Sequence, residues 1–469
     1  MLMFIYFVVM VLLLFGITIF VHELGHFLVA RKLGMQADVF SIGFGHAIWK
    51  KKMGDVVYKI GWIPFGGYVA LPQMEPGGGF TENEDGDREA LPRVAPWKKI
   101  LVAVAGATGN IILAFSLAIL IFWTGKPSMM GENSSVVGFV DTNSVAYAKG
   151  LRIGDEVIEV NGMSVTSWED VTLQAAVNDD IDLVFDHGEE ERKIHLMTAK
   201  GALGVKGVKG IPGVDGPSYC VVDRAMPDSS AAKAGVQSGD WVVSLDGQLL
   251  YSIPHLIQLV EANRDQAVPM VVTRGGEELE LTVTPAYDET SDRVLIGIAF
   301  DQFHMNLEKF VHPTPMQQIR KHAGLIFFTL RSMMTPKQAK NAVGAIGGPP
   351  MIFQYLYAML KTHIIMALWF TCLLNVNLAI INLMPLPVLD GGHIVFALVE
   401  LITRRPVHEK IVGALTTVFA ILLIGSMLFL SYRDIDRIFD ARKRNGELPS
   451  KEEVAPQKLD PSPVDNLPK

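Results

Sequence analysis

The polarity of this chain changes abruptly along its length. Four stretches, 1–21, 100–125, 364–389 and 411–432, carry no charged side chain. Each is long enough for a helix to cross a bilayer, which takes about 20 residues. They predict four membrane-spanning helices. The first has no basic segment ahead of it, and its apolar core is longer than that of a cleavable leader, so it reads as a retained span. A fifth uncharged stretch, 341–360, has Gly347-Gly348-Pro349-Pro350 at its centre. Those residues break a helix, and the segment reads as irregular or surface-lying.

Between the second and third spans the pattern shortens to alternating strands, and it repeats. Residues 144–162 read SVAYAKGLRIGDEVIEVNG and residues 229–247 read SSAAKAGVQSGDWVVSLDG. At a constant offset of 85, Ser144, Ala146, Gly150, Gly154, Asp155 and Gly162 match Ser229, Ala231, Gly235, Gly239, Asp240 and Gly247. Two copies of one small domain follow, expected over 127–209 and 210–290. Each has a short helix, a Gly-Asp turn, an alternating strand and an Asn-Gly or Asp-Gly turn. Nearer the N-terminus, residues 39–71 place two apolar, aromatic, Gly-rich arms around Lys52-Met53-Gly54-Asp55. They predict a β-hairpin or small sheet dipping toward the membrane, where its backbone must be satisfied by protein or water. Its open edge could pair with an unwound peptide segment. Residues 77–96 read as a loop, 305–360 as amphipathic pieces on the outer membrane surface, and 445–469 as a disordered polar tail.

Composition agrees with spans joined to soluble modules: of 469 residues, 49% are hydrophobic and 19% charged. A net charge of −8 gives no reason to expect nucleic acid. Cys220 and Cys372 fall in a soluble stretch and in a span, which argues against a disulfide between them. Lys and Arg fix the orientation. Arg31, Lys32, Lys50, Lys51, Lys52, Lys59, Lys98 and Lys99 follow the first span, and Arg404, Arg405 and Lys410 separate the last two. Both segments are then cytoplasmic, and the N-terminus, residues 126–363 and the tail are expected outside, although Arg437, Arg442, Lys443 and Arg444 in the tail speak against its placement.

The chemistry sits at the end of the first span, in FVHELGHFLV, residues 20–29. Residues four apart share a helix face, so His22 and His26 project together with Glu23 beside them. H-E-x-x-H is the pattern in which two imidazoles bind zinc and the Glu acts as general base. Charges at the centre of a bilayer cost on the order of 2.5–3.5 kcal/mol each, and these side chains are too short to snorkel. A buried metal answers both problems. Catalytic zinc takes three protein ligands and leaves one position open. The third candidate lies in NVNLAIINLMPLPVLDGGH, residues 375–393, where Asn377 and Asn382 precede a Pro385-x-Pro387 interruption and Asp390. With four crossings, His22, His26 and Asp390 share one depth near the cytoplasmic side; a fifth crossing would separate them. His393 is near enough to compete. The histidines also need acceptors on their second ring nitrogens, which the sequence does not single out.

The two copies resemble PDZ domains. HELGH near the end of a first span, N-x-x-P-x-x-x-LDG in a later one and a tandem PDZ pair between them resemble the site-2 protease family, the M50 zinc intramembrane metallopeptidases. The resemblance covers nearly the whole chain, and the PDZ pair is similar to bacterial envelope members of the family. It implies one Zn2+ per chain held by His22, His26 and Asp390, with Glu23 as catalytic acid and base. It implies that Asn377 and Asn382 hold substrate, and that Gly43, Phe44 and Gly45 belong to a membrane-re-entrant β-element in contact with it.

The implied fold is a polytopic α-helical membrane protein with four transmembrane helices, a membrane-associated β-hairpin and two extracytoplasmic PDZ (α+β) domains. Its expected parts are 1–30 (first span), 31–97 (β-element and loop), 98–125 (second span), 127–209 and 210–290 (PDZ), 291–362 (amphipathic linker), 363–392 (third span), 393–410 (cytoplasmic connection), 411–432 (fourth span) and 433–469 (tail). The implied setting is a bacterial inner membrane, with PDZ domains periplasmic and the active site near the cytoplasmic side. The implied substrates are single-span membrane proteins already shortened by another protease, among them an anti-sigma factor in an envelope stress response, together with leftover signal peptides. Peptide C-termini are the expected PDZ ligands. Two other classes compete: a membrane-anchored PDZ scaffold with a structural metal, and a zinc transporter. The intact Glu23 and the large PDZ modules speak against the transporter.

Overall fold

The computed structural model describes residues 2–74, 80–82, 88–129, 131–132, 134–188, 190–200, 208–289, 293–300 and 305–446. The tail expected beyond 446, and residues 77–79 and 83–87 of the loop expected at 77–96, lie outside these. In chain order the N-terminal part comprises α1 (Leu2–Lys32), β1 (Val39–Met53), β2 (Val56–Ala70) and α2 (Pro96–Thr124). The repeats contribute α3 (Val145–Ala148) and α4 (Trp168–Val177), then α5 (Ser230–Ala234) and α6 (Ile253–Ala262). After them come α7 (Pro315–Met334), α8 (Pro336–Ala345), α9 (Pro349–Thr362), α10 (Ile364–Asn382), α11 (Asp390–Thr403) and α12 (Glu409–Gly446).

The chain divides into two compact units. The first is Met1–Pro127, Phe310–Arg331 and Gly347–Ile435. Four helices of the described residues are long and apolar enough to cross a membrane: Ile5–Lys32, Pro96–Thr124, Ile364–Asn382 and Glu409–Phe439. The break at Gly347–Pro350 is present, because Gly348 caps α9 and Pro349 opens it. α9 has 14 residues, too few to cross.

Two boundaries differ from the polarity pattern. α10 stops at Asn382 instead of continuing to 392, since Pro385 and Pro387 cannot extend it. Asp390 therefore opens a new helix, α11, which starts within the stretch expected as the third span and runs on into the expected cytoplasmic connection. α12 runs 38 residues to Gly446, so 433–446 are helix and not tail.

β1 and β2 are each 15 residues long and bend back on themselves. Residues Val39–Ile42 pair on one side with Val57–Ile60 and on the other with Gly67–Ala70, while Trp49–Met53 pair with Val56–Ile60. The hairpin is thus a small four-stranded sheet made from two strands. Its edges are the 47–53 segment and the 67–70 segment. Positive φ values at Gly43, Gly45 and Gly66 permit the bends.

The second unit is Ser128–Lys309, Ser332–Ile346 and the described part of Asp436–Lys469. The duplicated sequence folds twice in the same way. One sheet runs Glu190–Met197, Asp180–His187, Glu156–Val160, Met163–Ser164; the other runs Glu277–Val283, Val268–Arg274, Trp241–Leu245, Gln248–Leu249. Ser144 and Ser229 cap the matching helices by accepting from Tyr147 N and Ala232 N. The matching aspartates bind different partners: Asp155 pairs with His187 at 2.7 Å, and Asp240 holds Arg274 through two bonds of 2.7 and 2.8 Å. Each repeat has its own apolar core. The second reaches past 290, because Ile298–Phe300 pairs with Val222–Ala225. In the same unit α8 rests on the end of α4, where Gln338 donates to Asn178 Oδ1 at 2.7 Å and Asn341 donates to Val177 O and Asp179 Oδ1.

The sheets also align Asp215 with Ala299, since Asp215 pairs with Phe139 and Ala299 with Arg224, 85 residues on. Burial pushes the Asp215 carboxyl up to about 6 from its ordinary 3.8. The folded state then holds this proton more tightly than the unfolded state, so its stability falls as pH rises from about 4 to 6 and levels off above. Asp215→Asn is expected to stabilise the repeat unit by about 1–2 kcal/mol at pH 7.5 and by little at pH 4. Calorimetry of the full chain at the two pH values checks this; equal gains at both would refute it.

Candidate metal centre

α1 is helical through residues 22–26, so His22 and His26 lie on one face, as their spacing predicts. Asp390 reaches them from the first turn of α11. Its placement depends on the two glycines that follow. A Cβ on Gly391 would sit 2.1 Å from Met384 O, and one on Gly392 would sit 2.4 Å from Leu386 O. Only glycine lets the start of α11 fold that tightly onto the Met384–Pro387 turn.

Among the described residues, His22, His26 and Asp390 form the one group of three metal-ligating side chains. His22 Nε2 lies 3.2 Å from His26 Nε2 and 3.2 Å from Asp390 Oδ2, and His26 Nε2 lies 3.4 Å from Asp390 Oδ2. Ligands 2.0–2.1 Å from a tetrahedral zinc stand about 3.3 Å apart, so the triangle has the edge lengths of a zinc site. The donor chemistry agrees. His26 Nδ1 donates to Val102 O at 2.8 Å, which leaves a lone pair on His26 Nε2. That lone pair and the buried Asp390 Oδ2 face the same point. Two acceptors aimed at each other need a cation between them. The residues present therefore fit zinc.

The space for the rings comes from α2. A Cβ on Gly106 would lie 2.3 Å from His26 Nε2 and 2.8 Å from His22 Cε1. Close approach of the helices is set by Gly25, whose Cβ would meet Ala105 O at 2.3 Å, and by Gly109, whose Cβ would meet Val21 O at 2.7 Å. The sequence offers no sign of these contacts beyond small residues in an apolar run.

Glu23 leaves the triangle on the side of the β-sheet. It lies against the edge segment Gly67–Ala70. A Cβ on Gly67 would come within 3.2 Å of Glu23 Cγ. The other expected residues are placed as follows. Asn382 Nδ2 lies 3.4 Å from His22 Nε2. Asn377 is half-buried on α10. Asn375, two residues earlier and fully buried, donates to Thr18 Oγ1 at 3.0 Å and ties α10 to α1; nothing in the sequence around it sets it apart from Asn377. Gly43, Phe44 and Gly45 form the bend of β1, with Phe44 half exposed and stacked on Tyr68. His393 is not in the triangle. It lines a cleft with Lys99 and Glu400, which pair at 3.1 Å.

A histidine pair on an apolar helix, completed by an aspartate and flanked by a glutamate, defines a membrane-embedded zinc metallopeptidase. The chain belongs to Peptidase family M50, whose model matches residues 10–426. It is 29% identical over 450 residues to the Regulator of sigma-E protease RseP of Escherichia coli, covering 90% of this chain and 97% of that one. It is likewise 29% identical over 458 residues to the Regulator of sigma E protease of Salmonella typhi, with the same coverage. A PDZ domain from Listeria innocua matches 20% of the chain at 23% identity and a TM-score of 0.17, too slight a likeness to carry an argument.

Overpacking at a site without slack costs about 1–3 kcal/mol, or roughly 5- to 150-fold in an equilibrium constant. Gly106→Ala is expected to weaken zinc binding by that range with helix content unchanged. Gly413→Ala, where a Cβ meets open space, should bind zinc as the wild type does. Elemental analysis after dialysis against a zinc buffer checks both; normal zinc in Gly106→Ala would refute the packing argument.

Proposed function

We propose that this zinc metalloprotease cuts peptide bonds within or beside the membrane-spanning segment of single-span membrane proteins. His22, His26 and Asp390 hold the zinc, and Glu23 is the general base. The observation that carries this reading is the triangle of 3.2, 3.2 and 3.4 Å between a spanning helix and the start of α11, with Glu23 next to His22 on the same helix.

Bound zinc supplies a Lewis acid and an acidified water. Glu23 accepts the water proton and returns it to the leaving amide nitrogen. A helical substrate hides its carbonyls, so the scissile segment must first unwind. The Gly67–Ala70 edge is suited to hold it as an added strand, because Gly67 in that edge lies directly against the Glu23 side chain. Asn382, beside His22, and Asn377 on the same helix steady the extended segment, and Phe44 between its two glycines offers an apolar contact at the sheet bend.

The repeats act as PDZ domains that screen substrates by size or by a new C-terminus. They face outward, and the site lies near the cytoplasmic side, in keeping with the Lys and Arg distribution. The relatives' name, regulator of sigma-E protease, supports an anti-sigma factor as substrate in a bacterial inner membrane, with leftover signal peptides as a second group.

In reconstituted membranes, Glu23→Gln should retain zinc and cut a model single-span substrate at least about 100-fold more slowly. Asp390→Ala should lose zinc as well. Undiminished cleavage by Glu23→Gln would end the assignment. Removal of 128–300 should admit substrates whose outer domain is intact; if these stay uncut, the repeats do not screen by size.

A further inference from the structure

α2 meets the two histidines with a matching four-residue period. His26 Nδ1 faces Val102 O at 2.8 Å. Gly106, one turn on, leaves room for both rings. Asn110, a further turn on, brings its Nδ2 to 3.3 Å from His22 Nδ1. The helices run antiparallel, so the order Val102, Gly106, Asn110 meets His26 and then His22. Asn110 is fully buried, and its Oδ1 has no hydrogen-bond partner among the described residues.

We infer that Asn110 is a positioning residue for His22, its carboxamide oxygen accepting the Nδ1 proton so that the Nε2 lone pair points into the His26–Asp390 triangle. This rests on the zinc reading above. The argument is one of proton bookkeeping on a neutral ring, which carries a single N–H. His22 Nε2 stands 3.2 Å from both His26 Nε2 and Asp390 Oδ2. As a ligand it must be bare, so the proton sits on Nδ1 and its partner must be an acceptor. For His26 that partner is a backbone carbonyl, which cannot be anything else. For His22 it is a carboxamide, whose two ends have the same shape and are told apart only by their partners. The required tautomer selects the oxygen: the amide turned over about its Cβ–Cγ bond puts Oδ1, which otherwise has no partner, in the place of Nδ2 at His22 Nδ1. Outer partners of this kind fix ring orientation and raise ligand basicity, and their loss typically weakens metal binding 10- to 100-fold.

Three forms of the full-length protein in detergent separate this role from a merely structural one. Asn110→Leu keeps the shape and removes the acceptor. Asn110→Asp keeps an acceptor and removes the amide donors. Zn2+ affinity is measured by competition with a chromophoric chelator, the visible spectrum of the Co2+ form reports ligand geometry, and thermal unfolding of the metal-free forms reports the fold. Asn110→Leu should bind Zn2+ about 10- to 100-fold more weakly and shift the Co2+ spectrum. Asn110→Asp should bind at least as well as the wild type, with its Co2+ spectrum retained. Wild-type affinity in Asn110→Leu, or equal losses in both variants, would overturn the inference. A loss in Asn110→Asp alone would overturn it too, since it would make the amide a donor. Absence of zinc binding by the wild type would instead sink the zinc reading and this inference with it.

Discussion

Two imidazoles on a membrane-spanning helix and a carboxylate at the start of α11 bring three acceptor atoms to one point, and only a cation that they share can satisfy all three. That requirement shapes the first unit. The three donor atoms must come within 3.4 Å although Asp390 lies more than 360 positions from the two histidines. α1 and α2 must approach until backbone touches backbone, which Gly25 and Gly109 permit. A ring-sized gap must survive at the contact, and Gly106 leaves it. α10 must end early and turn sharply so that Asp390 opens a helix instead of closing one, and Gly391 and Gly392 allow that turn. Asn375 then locks α10 to α1 through Thr18, a polar tie that the apolar surroundings make selective.

The ionisable members of the site were legible because they break an apolar run, and their types and spacing match one chemistry. The rest of the site was not, and for a physical reason. Gly106, the Val102 carbonyl and Asn110 matter through what stands opposite them on α1, and one helix's sequence does not say which turn of the other it meets. Asn375 illustrates the same limit. It lies two residues from Asn377, has the same composition around it, and differs only in the helix face it presents.

Boundaries followed a similar rule. Charge marks where lipid ends, not where a helix ends. α10 stops at Asn382 although the apolar run continues to 389, and α12 continues to Gly446 although charge begins at Arg433. The duplication was readable as an offset of 85, which holds for the helices and first strands. It slips to 84 where Val214 and Ile298 take equivalent places in the closing strands, paired with Val140 and Ala225. That slip hides the match of Asp215 with Ala299 from any reading at constant offset. The second repeat extends ten residues past its expected end for a separate reason: Ile298–Phe300 completes a sheet whose other strand lies over 70 residues earlier.

The break at Gly347–Pro350 shows how such a misplaced boundary bears on the site. Pro349 and Pro350 have no N–H, so the start of α9 offers fewer orphan donors than most helices. The Gly348 and Met351 amides remain, and both donate to Asp434 Oδ2, at 2.7 and 3.2 Å. Asp434 is fully buried, and a carboxylate at a helix N-terminus is favoured by about 0.3–1 kcal/mol when exposed and up to about 2 when buried. Gly348 admits it, since a Cβ there would lie 2.8 Å from Leu430 Cβ and 3.0 Å from Asp434 Oδ2. Asp434 can reach this position only if α12 stays helical past its apolar stretch. α9 in turn rests on α1, with Phe353 stacked on Phe15 at 4.7 Å and Tyr357 edge-on to Phe7. The polar turn of α12 that looks like the start of a tail therefore anchors the helix that lies against the histidine-bearing one.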